Sequence, residues 1–392
     1  MQELIEDYKN MSLRQMAEKY KVSAMTIRKR LKKAGVDTSY NKSMRPKELN
    51  NKNYINEQLN DGLAYNDIAK KLGVSKRTVE SAHSRKTDDE IYYCDWKEHF
   101  KAHEQCSKWL VKFGFKHPQY HNNILNKFSS NILKVKPTLN ANYSNPSAVN
   151  FIKHFNDHFY FSTHKHYNCV SDAWKKGNTI VLKKAVEMMW KNSKKCNIYS
   201  LMSVIARHFR DFTIVSVFKP WVAAYIYDKY IPNGGIVVDP TMGWGGRLIG
   251  CVGRNIKYHG YDLNENSVKS NKKIADYFDN KVNANIEYAD SSKVDFPKGD
   301  LLFTSPPYDD TEHYCGVDSH STKTEPILDN IFKKFSGIIA LNLPLRQKGL
   351  CISIAKKHNR SLTEILEMKT ASFMGREKTY EPILVFKSVH AK

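Results

Sequence analysis

Two turn-like stretches hold the residue types best able to do chemistry. "DPTMGWGG", Asp239 to Gly246, follows an acid with three glycines, and "TSPPY", Thr304 to Tyr308, sets a hydroxyl, two prolines and an aromatic after the apolar run of "DLLF". Glycines let a backbone approach a ligand closely. A Gly-rich turn leading into a helix, with an acid closing the next strand, is the pattern of a nucleotide site in which that acid takes the ribose hydroxyls. The acid here is Asp262, in "YHGYDLNENSV". A third acid, Asp290 in "ANIEYADSS", is able to accept from an adenine amino group. No G-x-x-x-x-G-K-[ST] occurs, so the turn is not a phosphate-cradling P-loop. Proline cannot donate to a sheet ladder, so the strand before "SPPY" must stop there. Pro-Pro is also generic punctuation, and what sets this copy apart is its place after the fourth predicted strand, with Ser305 lying 59 residues beyond Gly246.

The elements that must position these residues are legible from about residue 212. An apolar strand, Ile236 to Val238, runs into the Gly-rich turn and an apolar helix. The second strand closes on Asp262 ahead of a Lys-rich helix, the third on Asp290, and "DLLFTSPPY" is the fourth. "GIIALNLP" reads as a fifth, with "EILEMKT" and "YEPILVFK" as a closing hairpin. Strands alternating with helices predict a parallel sheet covered on both faces, with ligands beyond the carboxyl ends of the strands.

Together these residues resemble the class I methyltransferase fold that binds S-adenosylmethionine. Ser305-Pro306-Pro307-Tyr308 resembles the "[DNS]-P-P-[YFW]" signature of the amino-methyltransferases, which methylate exocyclic amines, above all adenine N6 and cytosine N4 in DNA. The resemblance covers residues 212–392 and implies an α/β, Rossmann-like domain whose mostly parallel sheet ends in an antiparallel last strand. It implies Asp239, Thr241, Gly243, Gly245 and Gly246 around the methionine part of the cofactor, Asp262 at the ribose and Asp290 at the adenine. Phe218, Lys219 and Pro220 occupy the place of the upstream cofactor motif, and Trp244 either borders the sulfonium or packs. The Ser305 oxygen and the Pro306 carbonyl would each accept an N–H of the target amine, with Pro306 and Pro307 fixing the backbone and Tyr308 stacking on the base. The target base must be flipped from the duplex or presented single-stranded.

Serine at the first signature position is closer to the cytosine-N4 members. No Pro-Cys dipeptide occurs, which argues against the cysteine-dependent route to C5-methylcytosine. Two other readings stand beside this one: a DNA-binding regulator with an inactive methyltransferase fold, and an amino-methyltransferase for RNA or protein.

The chain of 392 residues carries a formal net charge of +22, unevenly spread: residues 1–87 carry +9, 101–230 carry +14 and 231–392 only +3. Such localised charge suits a polyanion. Within 1–87, "LRQMAEKYKVSAMTIRKRLKKAGV" and "YNDIAKKLGVSKRTVESAHSRK" repeat at an offset of 52: Ala17 with Ala69, Val22 with Val74, Ser23 with Ser75 and Thr26 with Thr78. This resembles a pair of helix-turn-helix motifs, whose second helices would present Arg28, Lys29 and Arg30, and Lys76, Arg77 and Arg85, to DNA. We therefore expect a tandem helix-turn-helix region at 1–87, a basic and mainly helical recognition region at 88–211 and the methyltransferase domain at 212–392. Cys94, His99, His103 and Cys106 are zinc-ligand types, but their spacing matches no standard finger and no metal is expected. Seven scattered cysteines without a CxxC pair read as free thiols. No apolar run is long enough for a membrane span. The expected setting is the cytoplasm of a bacterial or phage-infected cell, with DNA as partner and methylation of the restriction–modification kind.

Overall fold

The computed structural model describes residues 2–11, 13–36, 47–50, 52–84, 86–141, 143, 145–164, 166–307, 312–315, 323–369 and 380–389. The chain separates into two compact units, Met1–Ile91 and Tyr92–Lys392.

The first unit holds two helical clusters. Helices α1 (Gln2–Asn10), α2 (Leu13–Lys19) and α3 (Ala24–Lys33) bury Leu4, Met16, Ile27 and Leu31. Helices α4 (Lys52–Asn60), α5 (Tyr65–Lys71) and α6 (Lys76–His83) bury Ile55, Ile68, Ala69, Val79 and Ala82. The sequence repeat has a shared physical cause. Ser23 Oγ accepts from the Thr26 N–H and Ser75 Oγ from the Thr78 N–H, both at 3.1 Å, so each serine caps its second helix. In each turn a valine N–H closes back on an alanine carbonyl, Val22 on Ala17 at 3.0 Å and Val74 on Ala69 at 2.9 Å. The residue before each valine must then be left-handed: Gly73 has φ 64° and Lys21 φ 49°. Lysine in that region carries a steric cost that glycine does not.

The short α7 (Asp88–Tyr92) closes the first unit, and the second opens with α8 (His103–Phe113), α9 (Asn122–Ile132), α10 (Pro146–Phe155), α11 (Thr179–Asn192) and α12 (Ile198–His208). Three two-residue strands, β1 (Thr163–His164), β2 (Asn168–Cys169) and β3 (Phe212–Thr213), lie among them. The layer after residue 212 is built from α13 (Pro220–Tyr230), β4 (Gly235–Asp239), α14 (Gly246–Cys251), β5 (Ile256–Asp262), α15 (Glu265–Phe278), β6 (Asn283–Tyr288) and β7 (Leu301–Thr304). After β8 (Glu312–His313) come α16 (Thr324–Lys334), β9 (Ile338–Asn342), α17 (Lys348–Lys357), β10 (Arg360–Lys369) and β11 (Tyr380–Ser388).

Seven of these strands form one sheet in the order β10-β11-β9-β7-β4-β5-β6. β11 runs antiparallel to both neighbours, while β9, β7, β4, β5 and β6 are mutually parallel. The chain builds outward from β4 through β5 to β6, then returns to place β7 on the other side of β4. The crevice at that reversal, beyond the carboxyl ends of β4 and β7, is where such sheets bind ligands. Val238, Leu302, Ile339 and Leu341 pack against Ile331 and Phe332 of α16 in one buried cluster.

The sequence expectation of a separate region at 88–211 meets a different arrangement, because residues 92–211 share one compact unit with the sheet. α10 packs on α14 and α15. The Lys369 N–H donates to Leu139 O at 3.2 Å and the Ala141 N–H to Lys369 O at 2.9 Å, tying a loop of the helical region to the end of β10. β1 pairs antiparallel with β8. No helix among the described residues is long and apolar enough to cross a membrane, and all seven cysteines are free.

Candidate active site

Beyond β4 and β7 lies a cavity of about 440 Å³, within the range of small-molecule sites. Its wall includes Thr241, Gly243, Trp244 and Gly246 from the Gly-rich turn, Asp262 from the end of β5, and Ser305, Pro306 and Pro307 from the turn after β7. Phe218 and Lys219 also line it. The two turns are joined directly: Thr241 Oγ1 donates to Ser305 O at 3.0 Å, and the Thr241 N–H donates to Thr304 Oγ1 at 3.2 Å.

The turn is held from beneath by a buried ion pair. Arg247 Nε donates to Asp239 Oδ2 at 2.7 Å, with both side chains almost wholly inaccessible. Asp239 also accepts from Tyr258 Oη at 2.6 Å and from Thr304 Oγ1 at 2.7 Å. Burial works against the charge on Arg247, but Asp239 beside it outweighs burial and raises its affinity for the proton. A second Arg247 nitrogen donates to the Thr241 carbonyl. These donors account for Asp239, which stands behind the wall, not in it. Asp239, expected around the methionine part of the cofactor, is fully buried; a carboxylate so placed needs donors on every side, and it finds them in the protein.

Two buried asparagines complete the support. Asn271 Nδ2 donates to Gly243 O at 2.8 Å, and Asn156 Nδ2, from the end of α10, donates to Trp244 O at 3.1 Å. Gly245, with φ 94°, lies so close to Asn271 that a Cβ there would sit 2.5 Å from its Oδ1. Gly246 is tighter still, since a Cβ would meet Phe218 O at 2.0 Å. Gly245 thus supports the wall without lining it, and Pro220 is buried as the first residue of α13.

Asp262 faces the cavity while its carboxylate accepts from the Gly243 N–H and the Asn264 N–H, each at 2.8 Å. Burial pushes its carboxyl up to about 6 against the pull of those two donors. Asp290 is placed otherwise. Its carboxylate accepts from the Ser292 N–H and hydroxyl and pairs with Lys293 at 2.9 Å, closing a local turn, while its neighbour Ser291 reaches the wall. Asp290 itself, expected at the adenine, is not part of the cavity wall.

Ser305 Oγ donates to Asn342 Oδ1 at 3.4 Å, and Asn342 Nδ2 donates to Pro382 O at 3.2 Å, which orients the amide. Thr324 Oγ1 donates to Pro307 O at 2.6 Å and fixes the end of the turn. Tyr308 lies outside the described residues. Trp244 both lines the cavity and packs, its ring 4.7 Å from His158, 5.1 Å from Phe159 and 6.0 Å from Tyr314. Burial pushes His158 down to about 4 and so favours the neutral imidazole behind Trp244.

Sequence reasoning missed Arg247, Asn156, Asn271 and Asn342, whose spacing carries no local signal. It also missed Ala141, Met368 and Glu381, which bring the helical region and the closing hairpin into the wall. In the first unit, Arg28, Lys29 and Arg30 are exposed on α3, and Lys76 and Arg77 on α6, where Lys76 pairs with Glu80 at 3.5 Å. Arg85 lies outside the described residues. Cys106 is fully buried in α8, and His103 pairs with Glu104 at 3.1 Å. Among the described residues no three His, Cys, Asp or Glu side chains are placed to hold a metal ion.

This sheet order, with one reversed strand and a Gly-rich turn after β4, is the class I methyltransferase fold. No protein-family model matches the chain, and no curated protein matches it in sequence. Among solved structures it is similar to a methyltransferase from Pyrococcus furiosus, at 19% identity over 48% of this chain and 94% of that one, with a TM-score of 0.33. It is also similar to magnesium protoporphyrin IX methyltransferase from Synechocystis, a structure with bound SAM, at 14% identity over 43% and 76% of the two chains and a TM-score of 0.33. TrmN from Thermus thermophilus matches at 17% identity over 47% of this chain and 53% of that one, with a TM-score of 0.32. Likeness this distant leaves reaction and substrate to be read from the site.

Proposed function

We propose that this chain is an S-adenosylmethionine-dependent methyltransferase acting on an exocyclic amino group of a base in DNA, with cytosine N4 preferred over adenine N6. The observation that carries the reading is the single cavity shared by the Gly-rich turn, Asp262 and the Ser305-Pro306-Pro307 turn. The residues fit the cofactor: Gly246 gives room against Phe218 where a Cβ would not, Asp262 offers a carboxylate to a ribose diol, and Trp244 offers an aromatic face. The cofactor supplies a methyl group on a sulfonium, already a good leaving group.

The protein's part is to hold the amine. Its lone pair is delocalised into the base, so the nitrogen must be drawn toward tetrahedral geometry by acceptors on its hydrogens. The Ser305 hydroxyl, 3.4 Å from Asn342 Oδ1, stands at the cavity wall, where its oxygen serves as one acceptor. Pro306 and Pro307 preset the backbone so that the Pro306 carbonyl serves as the second, a fixed arrangement that needs no reorganisation during reaction. Positioning then dominates the rate, with no covalent intermediate on the enzyme. The exposed arginines and lysines of α3 and α6 support a role for the first unit in holding DNA.

The test is incubation with labelled S-adenosylmethionine and duplex DNA, single-stranded DNA or RNA, followed by nucleoside mass spectrometry. Methylated N4-cytosine or N6-adenine is the expected product. Ser305→Ala is expected to lower kcat by ~10²-fold or more, as loss of one preorganised polar contact does, while leaving cofactor affinity intact. Equal loss of both would refute the assigned role.

A further inference from the structure

The cavity wall carries an aromatic side chain that belongs to neither of the two turns. Tyr314 lines the cavity beside Trp244, with the two ring centres 6.0 Å apart and their planes at 53°. Its place is fixed through the next residue. The Cys315 N–H donates to Ser162 Oγ at 3.1 Å, and Cys315 O accepts from Asn264 Nδ2 at 3.0 Å. Both clamping side chains are buried, and β8, which runs directly into Tyr314, pairs with β1 just beyond Ser162. Asn264 is also the residue whose N–H supports the Asp262 carboxylate, so the clamp holds Tyr314 toward the Asp262 end of the wall.

Trp244 links that end to the other. Its neighbour Gly243 donates an N–H to Asp262, while Thr241 of the same turn donates to Ser305 O. The two rings therefore flank the stretch of cavity between the carboxylate that suits a ribose diol and the hydroxyl that suits the target amine. A sulfonium joined to that ribose and presented to that amine has to stand in this stretch. We propose that Tyr314 is a cofactor-binding residue whose ring forms, with that of Trp244, an aromatic corner selective for the sulfonium cation over the neutral thioether of the spent cofactor. The inference rests on the methyltransferase reading above. Transfer of the methyl leaves its bonding electron pair on sulfur and so removes the charge. An aromatic face attracts the cation and has no such attraction for the thioether, so the corner favours loading of cofactor and release of product. Packing of Tyr314 on Trp244 for stability alone would treat both ligands alike.

The test uses the full chain, titrated calorimetrically with S-adenosylmethionine and, separately, with S-adenosylhomocysteine. Tyr314→Leu should weaken S-adenosylmethionine binding by ~2- to 30-fold, the range of one cation–π contact, and leave S-adenosylhomocysteine within about twofold of wild type. Tyr314→Phe, which keeps the ring, should bind both as wild type does. If Tyr314→Leu does not fold, Tyr314→Met, an adaptable apolar side chain without a ring, is held to the same expectation. Equal loss of both ligands in the ringless variants, or loss of neither, would overturn the corner, and so would loss of selectivity in Tyr314→Phe. Wild-type binding of both ligands, with their ratio unaltered in the ringless variants, removes the corner and leaves the methyltransferase reading standing; a wild type that binds no S-adenosylmethionine removes both.

Discussion

Replacing Gly246 with alanine sets two effects of opposite sign against each other. Gly246 is the first residue of α14, where alanine would ordinarily gain about 1 kcal/mol in helix propensity. The added Cβ, however, would stand 2.0 Å from Phe218 O and 2.9 Å from Phe218 C, both backbone atoms. A carbon and a carbonyl oxygen settle no closer than about 3.3 Å, so the two chain segments must part by roughly 1 Å. Forced overpacking of this kind costs about 1–3 kcal/mol, occasionally more, and it outweighs the propensity gain. Both displaced segments line the cavity, and a shift near 1 Å is worth ~10²-fold where reacting groups must align. Gly246→Ala should therefore lower the urea midpoint and weaken S-adenosylmethionine binding in calorimetry. Gly349, in α17, has nothing within 4 Å of its would-be Cβ, so Gly349→Ala should raise stability by up to about 1 kcal/mol. A Gly246→Ala protein as stable as wild type, with unchanged cofactor affinity, would refute the close approach of Phe218 to the turn.

Three further outcomes follow from the same geometry. Asp239→Asn leaves Arg247 buried without its counter-charge and should destabilise the second unit by about 3–5 kcal/mol in chemical denaturation; a loss under 1 kcal/mol would contradict the buried pair. Asp262, raised to about 6 when folded from an ordinary value near 4, binds its proton more tightly in the native state, so its contribution to stability declines as pH rises from about 4 to 6. Its ionised form is the one that accepts a ribose diol, so cofactor affinity should fall by up to ~10-fold per pH unit below about 6, and Asp262→Asn should abolish that dependence. Deleting residues 1–87 should weaken duplex binding and flatten its salt dependence, and an unaltered slope would exclude the repeat from DNA contact.

What could be read in the chain was what local chemistry dictates. Positive φ at Gly243 and Gly245 needs glycine, and Pro306 and Pro307 end a strand wherever they stand, so both turns were legible as turns. Asp262 was legible because it closes an apolar strand one βα unit after the Gly-rich turn. A parallel sheet followed from the alternation of strands and helices, whereas its antiparallel strand was implied only by the resemblance to the methyltransferase fold.

Tertiary structure alone decided which acids face the cavity. Asp239 and Asp262 both end strands, yet Asp239 is surrounded by Arg247, Tyr258 and Thr304, whereas Asp262 opens to the ligand space; the difference lies in neighbours from other strands and helices. Asn156 and Asn271 reach the Gly-rich turn across 88 and 28 residues of chain, and Ala141 joins the wall only because its loop docks on β10. Hydrogen bonds and burial at such separations depend on how distant segments meet, which no short window of sequence encodes.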